Sequence, residues 1–138
     1  FGGKKVIATD IDPDMIEKAK KSLTPELRDK IEFRIADAMA IDEPDNKFDA
    51  VFSFGVIHHM EDWRKAIKEV SRVLKSKGEF FFEEFLRPFV RAFTAASHPK
   101  GGQFDFEEFR EELKKNSIEI INVKRFGSIG IIGIGRKI

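Results

Sequence analysis

The stretch Phe48-Asp49-Ala50-Val51-Phe52-Ser53-Phe54 constrains this chain more than any other. It is apolar almost throughout, which is the pattern of a parallel strand covered on both faces rather than of a strand with one side in water. Parallel strands are joined by long crossovers, usually helical, so a chain containing such a strand should alternate strands with amphipathic helices.

The flanking sequence has that alternation. Lys5-Val6-Ile7-Ala8-Thr9 is a short β-branched run, and Asp12-Pro13 offers an N-cap followed by proline at the first helical position. The helix should run to about Leu23 with Ile16, Ala19 and Leu23 on one face, and Pro25 blocks its continuation. Ile31 to Ile35 reads as the second strand and Phe48 to Phe54 as the third. Trp63, Ala66, Ile67, Val70, Val73 and Leu74 follow helical spacing, with Lys75, Lys77 and Gly78 as the stop, and Glu79 to Glu84 is a fourth strand. Phe89, Val90 and Phe93 suggest a short helix, Ser97 to Gly102 a loop, and Asp105 with Glu108 a capping box for a helix presenting Phe106, Phe109 and Leu113. Glu119 to Arg125 and Gly130 to Arg136 are expected to form an antiparallel hairpin through a turn near Gly127. The expected architecture is a Rossmann-like, doubly wound α/β sheet, mostly parallel with a C-terminal antiparallel hairpin, in one domain over residues 1–138.

Composition narrows the function classes. Lysine and arginine (25) nearly balance aspartate and glutamate (24), so no global field points to nucleic acid or to an anionic membrane. No apolar run approaches the roughly 20 residues of a membrane span. The absence of cysteine excludes thiolate metal sites and disulfides and fits a cytoplasmic location. Fifteen phenylalanines and no tyrosine favour a dry core or an apolar pocket.

In open α/β sheets ligands bind beyond the carboxyl ends of the strands. Three of the expected strands end there in polar or turn residues: Asp10, Asp37, and Ser53 with Phe54-Gly55. A carboxylate directly after an apolar strand can accept two hydrogen bonds from a ribose diol, which suits Asp10, since Asp12 is better placed as the helix cap. Asp37 could accept from an exocyclic amine such as that of adenine, or be an ordinary turn aspartate.

Four ordered segments then resemble a known family. Val6 to Ala19 is similar to the second strand and following helix of class I S-adenosylmethionine-dependent methyltransferases; Asp37-Ala38-Met39 resembles the segment that meets adenine. Phe48 to Asp62, with its paired histidines, resembles the fourth-strand segment, and Ala66 to Gly78 the helix and turn before the fifth strand. The resemblance implies S-adenosylmethionine as cofactor and a small-molecule acceptor. It implies that Asp10 binds ribose, Ile11 packs on adenine, Asp37 and Ala38 read the adenine edge, and Ser53, Phe54 and the residues to Val56 line the methionine and acceptor side.

Family members begin with a strand and a glycine-rich loop, and this chain starts after both, which implies either a fragment or a non-catalytic remnant acting as an oligomeric or binding module. The expectation for the isolated chain is a homodimer, or direct pairing of Lys5 to Thr9 with Ala50 to Phe54. A nicotinamide-dependent oxidoreductase would explain Asp10 but not the segment from Phe48 to His59. His58 and His59 are weak candidates for a catalytic base, and adjacent histidines do not easily aim at one metal ion, so no metal is expected. Glu83 is a further candidate base. The glycines from Gly127 to Gly135 fit a terminal strand better than a phosphate loop, because no helix follows them. Phe80, Phe81 and Phe82 read as core; Phe85, Phe89 and Phe93, with Arg87, Arg91, His98 and Lys100 between and beyond them, are open to either a substrate or a surface role.

Overall fold

A computed structural model describes residues 5–93 and 102–138. The chain divides into two compact units between Asp42 and Glu43.

The first unit runs β1 (Val6–Asp10), α1 (Pro13–Ser22), α2 (Pro25–Arg28) and β2 (Ile31–Ile35). β1 and β2 pair in parallel from Val6 opposite Ile31 to Asp10 opposite Ile35. The Asp12 carboxylate caps α1 by accepting the Asp14 N–H at 2.8 Å, and Pro13 at the first helical position loses no hydrogen bond because its nitrogen would have been unpaired anyway. Pro25 does end the helical run, and by the same rule it then opens the single turn of α2.

The second unit contains β3 (Phe48–Phe54), a 3-10 turn (Ile57–His59), α3 (Trp63–Val73), β4 (Leu74–Phe85), α4 (Arg87–Phe93), α5 (Phe106–Lys115), β5 (Ile118–Phe126) and β6 (Gly130–Lys137). Its sheet order is β3-β4-β6-β5. β3 and β4 are parallel, whereas β6 is antiparallel to both β4 and β5, so the terminal hairpin forms as expected. The hydrogen-bonded neighbour of β1 within its unit is β2, and that of β3 within its own is β4.

Alternation along β4 decides what the second unit buries. Phe80, Phe82 and Glu84 point to one face and are buried, while Glu79, Phe81, Glu83 and Phe85 stand on the other. The buried face meets Trp63, Ile67 and Val70 of α3 and Phe106, Phe109 and Leu113 of α5 in one apolar cluster. Phe82 meets the edge of Phe109 at 5.2 Å, and Trp63 packs on Phe104 at 4.7 Å. Each such fully buried side chain contributes about 1.5–3 kcal/mol relative to an exposed one. Phe81 therefore differs from its neighbours: it is half-buried on the opposite face, stacked on Phe52 at 4.7 Å. On that face Phe52 and Phe54 are 48% and 57% exposed.

β4 also begins earlier than its composition suggests. Leu74 pairs with Phe48 and Glu79 with Ala50, so residues 75–78 bulge between them. Lys77, not Gly78, takes the left-handed conformation (φ 65). Gly78 is required for space instead, since a Cβ there would lie 2.9 Å from the Lys75 carbonyl and 3.2 Å from that of Asp49. The short helix expected around Phe89 is α4, and the Asp105–Glu108 capping box is formed in both directions. His98, Lys100 and the rest of the expected 97–102 loop, apart from Gly102, lie outside the described residues.

Candidate cofactor and acceptor site

The first unit presents two carboxylates at the ends of adjacent parallel strands. Asp10 closes β1, and its carbonyl accepts the Ala36 N–H at 3.0 Å, which extends the ladder to the residue before Asp37. One oxygen of Asp10 accepts the Asp12 N–H at 2.9 Å, and one oxygen of Asp37 accepts the Met39 N–H at 2.8 Å. Each carboxylate is thereby oriented by its own turn. An ionised carboxyl has about four acceptor positions, so one backbone bond leaves capacity on both. Asp12 does the capping of α1, which leaves Asp10 outside that duty. Ile11 is 67% exposed beside Asp10, and Ala38 is half-buried beside Asp37. Acceptors for a diol and for an amine, with an uncovered aliphatic side chain between them in sequence, fit an adenosine.

The second unit carries a different arrangement at the end of β3. Gly55 has φ 66, a conformation glycine adopts without steric cost, and its N–H donates to the Glu83 carbonyl at 2.7 Å. The chain turns there, and the next three backbone amides converge on one side chain. The Glu84 carboxylate accepts the N–H groups of Val56 (3.3 Å), Ile57 (3.0 Å) and His58 (3.3 Å) and the Ser53 hydroxyl (3.2 Å). It also meets His58 Nδ1 at 2.7 Å. Glu84 is 1% exposed and His58 3%, so this is a buried carboxylate satisfied by five donors from one turn. Among the described residues no buried side-chain polar atom lacks a partner.

Of the two histidines, only His59 is exposed; its ring lies 4.2 Å from that of His58, and Phe85 presents an edge to His58 at 5.4 Å. Gly102 closes on the same turn, for a Cβ there would come within 2.5 Å of the carbonyl oxygens of both His58 and Met60. No cluster of three metal-ligating side chains occurs among the described residues. Arg87 is committed to the Glu108 carboxylate and the Gln103 carbonyl.

Glu84 is the residue that sequence reasoning passed over in favour of Glu83, which is exposed. The signal was present: Glu84 is in phase with Phe80 and Phe82, so a strand burying those two must bury Glu84 and find it partners.

Comparison with known proteins identifies the family. Residues 1–82 match the family described as a methyltransferase domain. The ubiquinone/menaquinone biosynthesis C-methyltransferase UbiE of Rickettsia bellii is 32% identical over 91% of this chain and 61% of its own length. The chain thus spans about three fifths of that relative. Among solved structures, YcgJ of Bacillus subtilis superposes with a TM-score of 0.81 at 18% identity, over 97% of this chain and 82% of its own. The [4+2]-cyclase SpnF superposes with a TM-score of 0.80 at 17% identity, over 96% of this chain and 66% of its own. At such identities the superpositions speak for the fold, and a fold shared with a cyclase does not by itself name a reaction. The family match does not depend on them: this chain belongs to the class I S-adenosylmethionine-dependent methyltransferases.

Proposed function

We propose that the chain takes part in methyl transfer from S-adenosylmethionine to a small-molecule acceptor. The observation supporting this most directly is the pair of turn-oriented carboxylates, Asp10 and Asp37, at the ends of two adjacent parallel strands. The cofactor supplies an electrophilic methyl on a sulfonium. The protein's part is to align it, because an in-line displacement depends on orientation more than on a dedicated base. In this reading Asp10 accepts the ribose hydroxyls and Ile11 covers an adenine face. Asp37 accepts the exocyclic amine beside the Ala38 backbone. Ser53 and Phe54, at the end of β3, belong to the methionine and acceptor side. His58, which meets Glu84 through Nδ1, and the exposed His59 are the two candidates for taking a proton from an acceptor.

Calorimetry with S-adenosylhomocysteine tests the reading. Asp10→Ala should weaken binding by about 1.5–3 kcal/mol, the range for hydrogen bonds to a charged group. Equal affinity would remove Asp10 from the site. Transfer is then followed with radiolabelled cofactor. Carbon acceptors come first, because the Rickettsia relative is a C-methyltransferase.

A further inference from the structure

Glu84 is a buried carboxylate outside the set of residues assigned to the cofactor. Oε1 accepts from Ser53 Oγ and from the amides of Val56 and Ile57, while Oε2 accepts the His58 amide and faces His58 Nδ1 at 2.7 Å. Backbone amides only donate, and an ionised carboxylate only accepts. An imidazole nitrogen at 2.7 Å from such an oxygen must carry the proton that lies between them.

We propose that Glu84 is a positioning residue: it gathers the turn after β3 and fixes His58 as the Nδ1-protonated tautomer, which puts the ring's lone pair on Nε2. The importance of this for methyl transfer rests on the functional reading above; the tautomer itself does not. The turn so fixed runs from Ser53 to His58, and the ring of exposed His59 packs on that of His58 at 4.2 Å. Glu84 therefore holds a buried ring whose neighbour is the solvent-facing histidine. The side chain that holds His58 lies 26 residues away in sequence.

Glu84→Gln separates this role from simple packing. The amide has the shape of the carboxyl, and its oxygen is held toward Val56 and Ile57, since turning the amide over would set an NH2 against two N–H donors. The amide then gives up one acceptor, that of the His58 N–H at 3.3 Å, instead of two, and its NH2 faces Nδ1, which must accept, so the ring proton moves to Nε2.

The test is a long-range proton–nitrogen correlation spectrum of the full chain labelled in its three histidines, recorded up the pH scale until the rings are neutral. Substituting His59 and His98 in turn assigns the His58 signals. The expected result is an unprotonated Nε2 in the wild type, exchanged for an unprotonated Nδ1 in Glu84→Gln. A wild-type ring protonated on Nε2 overturns the proposal, and so does a tautomer that Glu84→Gln leaves unchanged. Should Glu84→Gln not fold, the wild-type spectrum alone still decides the first point. S-adenosylhomocysteine calorimetry on the same wild-type sample keeps the two ideas apart: no binding would overturn the methyltransferase reading and leave the tautomer result standing.

Discussion

The ring of Phe82 fills the space where a side chain of Gly133 would be: a Cβ on that glycine would lie 2.7 Å from Phe82 Cζ and 2.6 Å from the Asn122 carbonyl oxygen. The two residues are partners across the β4–β6 ladder, and Phe82 is fully buried. Gly130 and Gly135 are under similar pressure, from the Glu84 carbonyl at 2.8 Å and the Ile118 side chain at 2.5 Å. The glycine-rich end of the chain is thus a packing surface for β4 and β5.

Gly133→Ala should accordingly destabilise the fold by about 1–3 kcal/mol, the usual cost of overpacking a filled core. Urea denaturation measures it. A variant as stable as the wild type would show that Phe82 can move aside.

Asp105 and Glu108 cap α5 reciprocally, each side chain accepting the other's backbone N–H, at 3.0 Å and 2.9 Å. Asp105→Ala should cost about 1 kcal/mol, and Asp105→Asn much less because asparagine is an equally good cap. The difference between the two variants in thermal or urea denaturation isolates the cap from the charge.

In the first unit, hydrogen bonds from Arg34 and then Lys5 hold the Glu32 carboxyl down at about 2. Protons therefore bind more tightly to the unfolded chain, where the group titrates near its ordinary value of about 4.3. The stabilisation is complete above that value and is lost as pH falls toward about 2. The protection of the β1 and β2 amides, taken relative to intrinsic exchange at each pH, should fall over this acid window in the wild type. Glu32→Gln should be less protected above the window and show a flatter pH dependence through it.

Asp10 and Asp37 are assigned different ligand atoms, so their variants should fail differently. Asp10→Ala should lose the preference for S-adenosylhomocysteine over its 2′-deoxyribose analogue. Asp37→Ala should lose the preference for adenine over hypoxanthine, which has no exocyclic amine. Each preference is expected to be worth about 1.5–3 kcal/mol. Calorimetry on the four pairings checks it, and a variant that loses the other residue's preference would reverse the assignment.

Much of the fold was legible because its signals are local. The Asp12–Pro13 start, the period of Trp63 to Val73 and the Asp105–Glu108 box each act within one or two turns of helix, and all three appear where the sequence places them. The candidate adenosine residues were legible for a similar reason, since Asp10 and Asp37 follow apolar runs whose ends can be read directly. The start of β4 was not, because Leu74 becomes a strand residue only by pairing with Phe48.

By itself, then, the sequence determined the order and kind of the elements, the family, and the aspartates at the strand ends, all properties of contiguous segments and their periodicity. Only the tertiary structure decided that Glu84 and not Glu83 would serve the turn after β3, that His58 would be buried with it while His59 stayed exposed, and that Gly133 would yield its space to Phe82. Each of these depends on which face of a strand meets the helices, and on contacts between residues tens of positions apart. A buried carboxylate must find donors wherever the fold brings them, and no local pattern names those donors in advance.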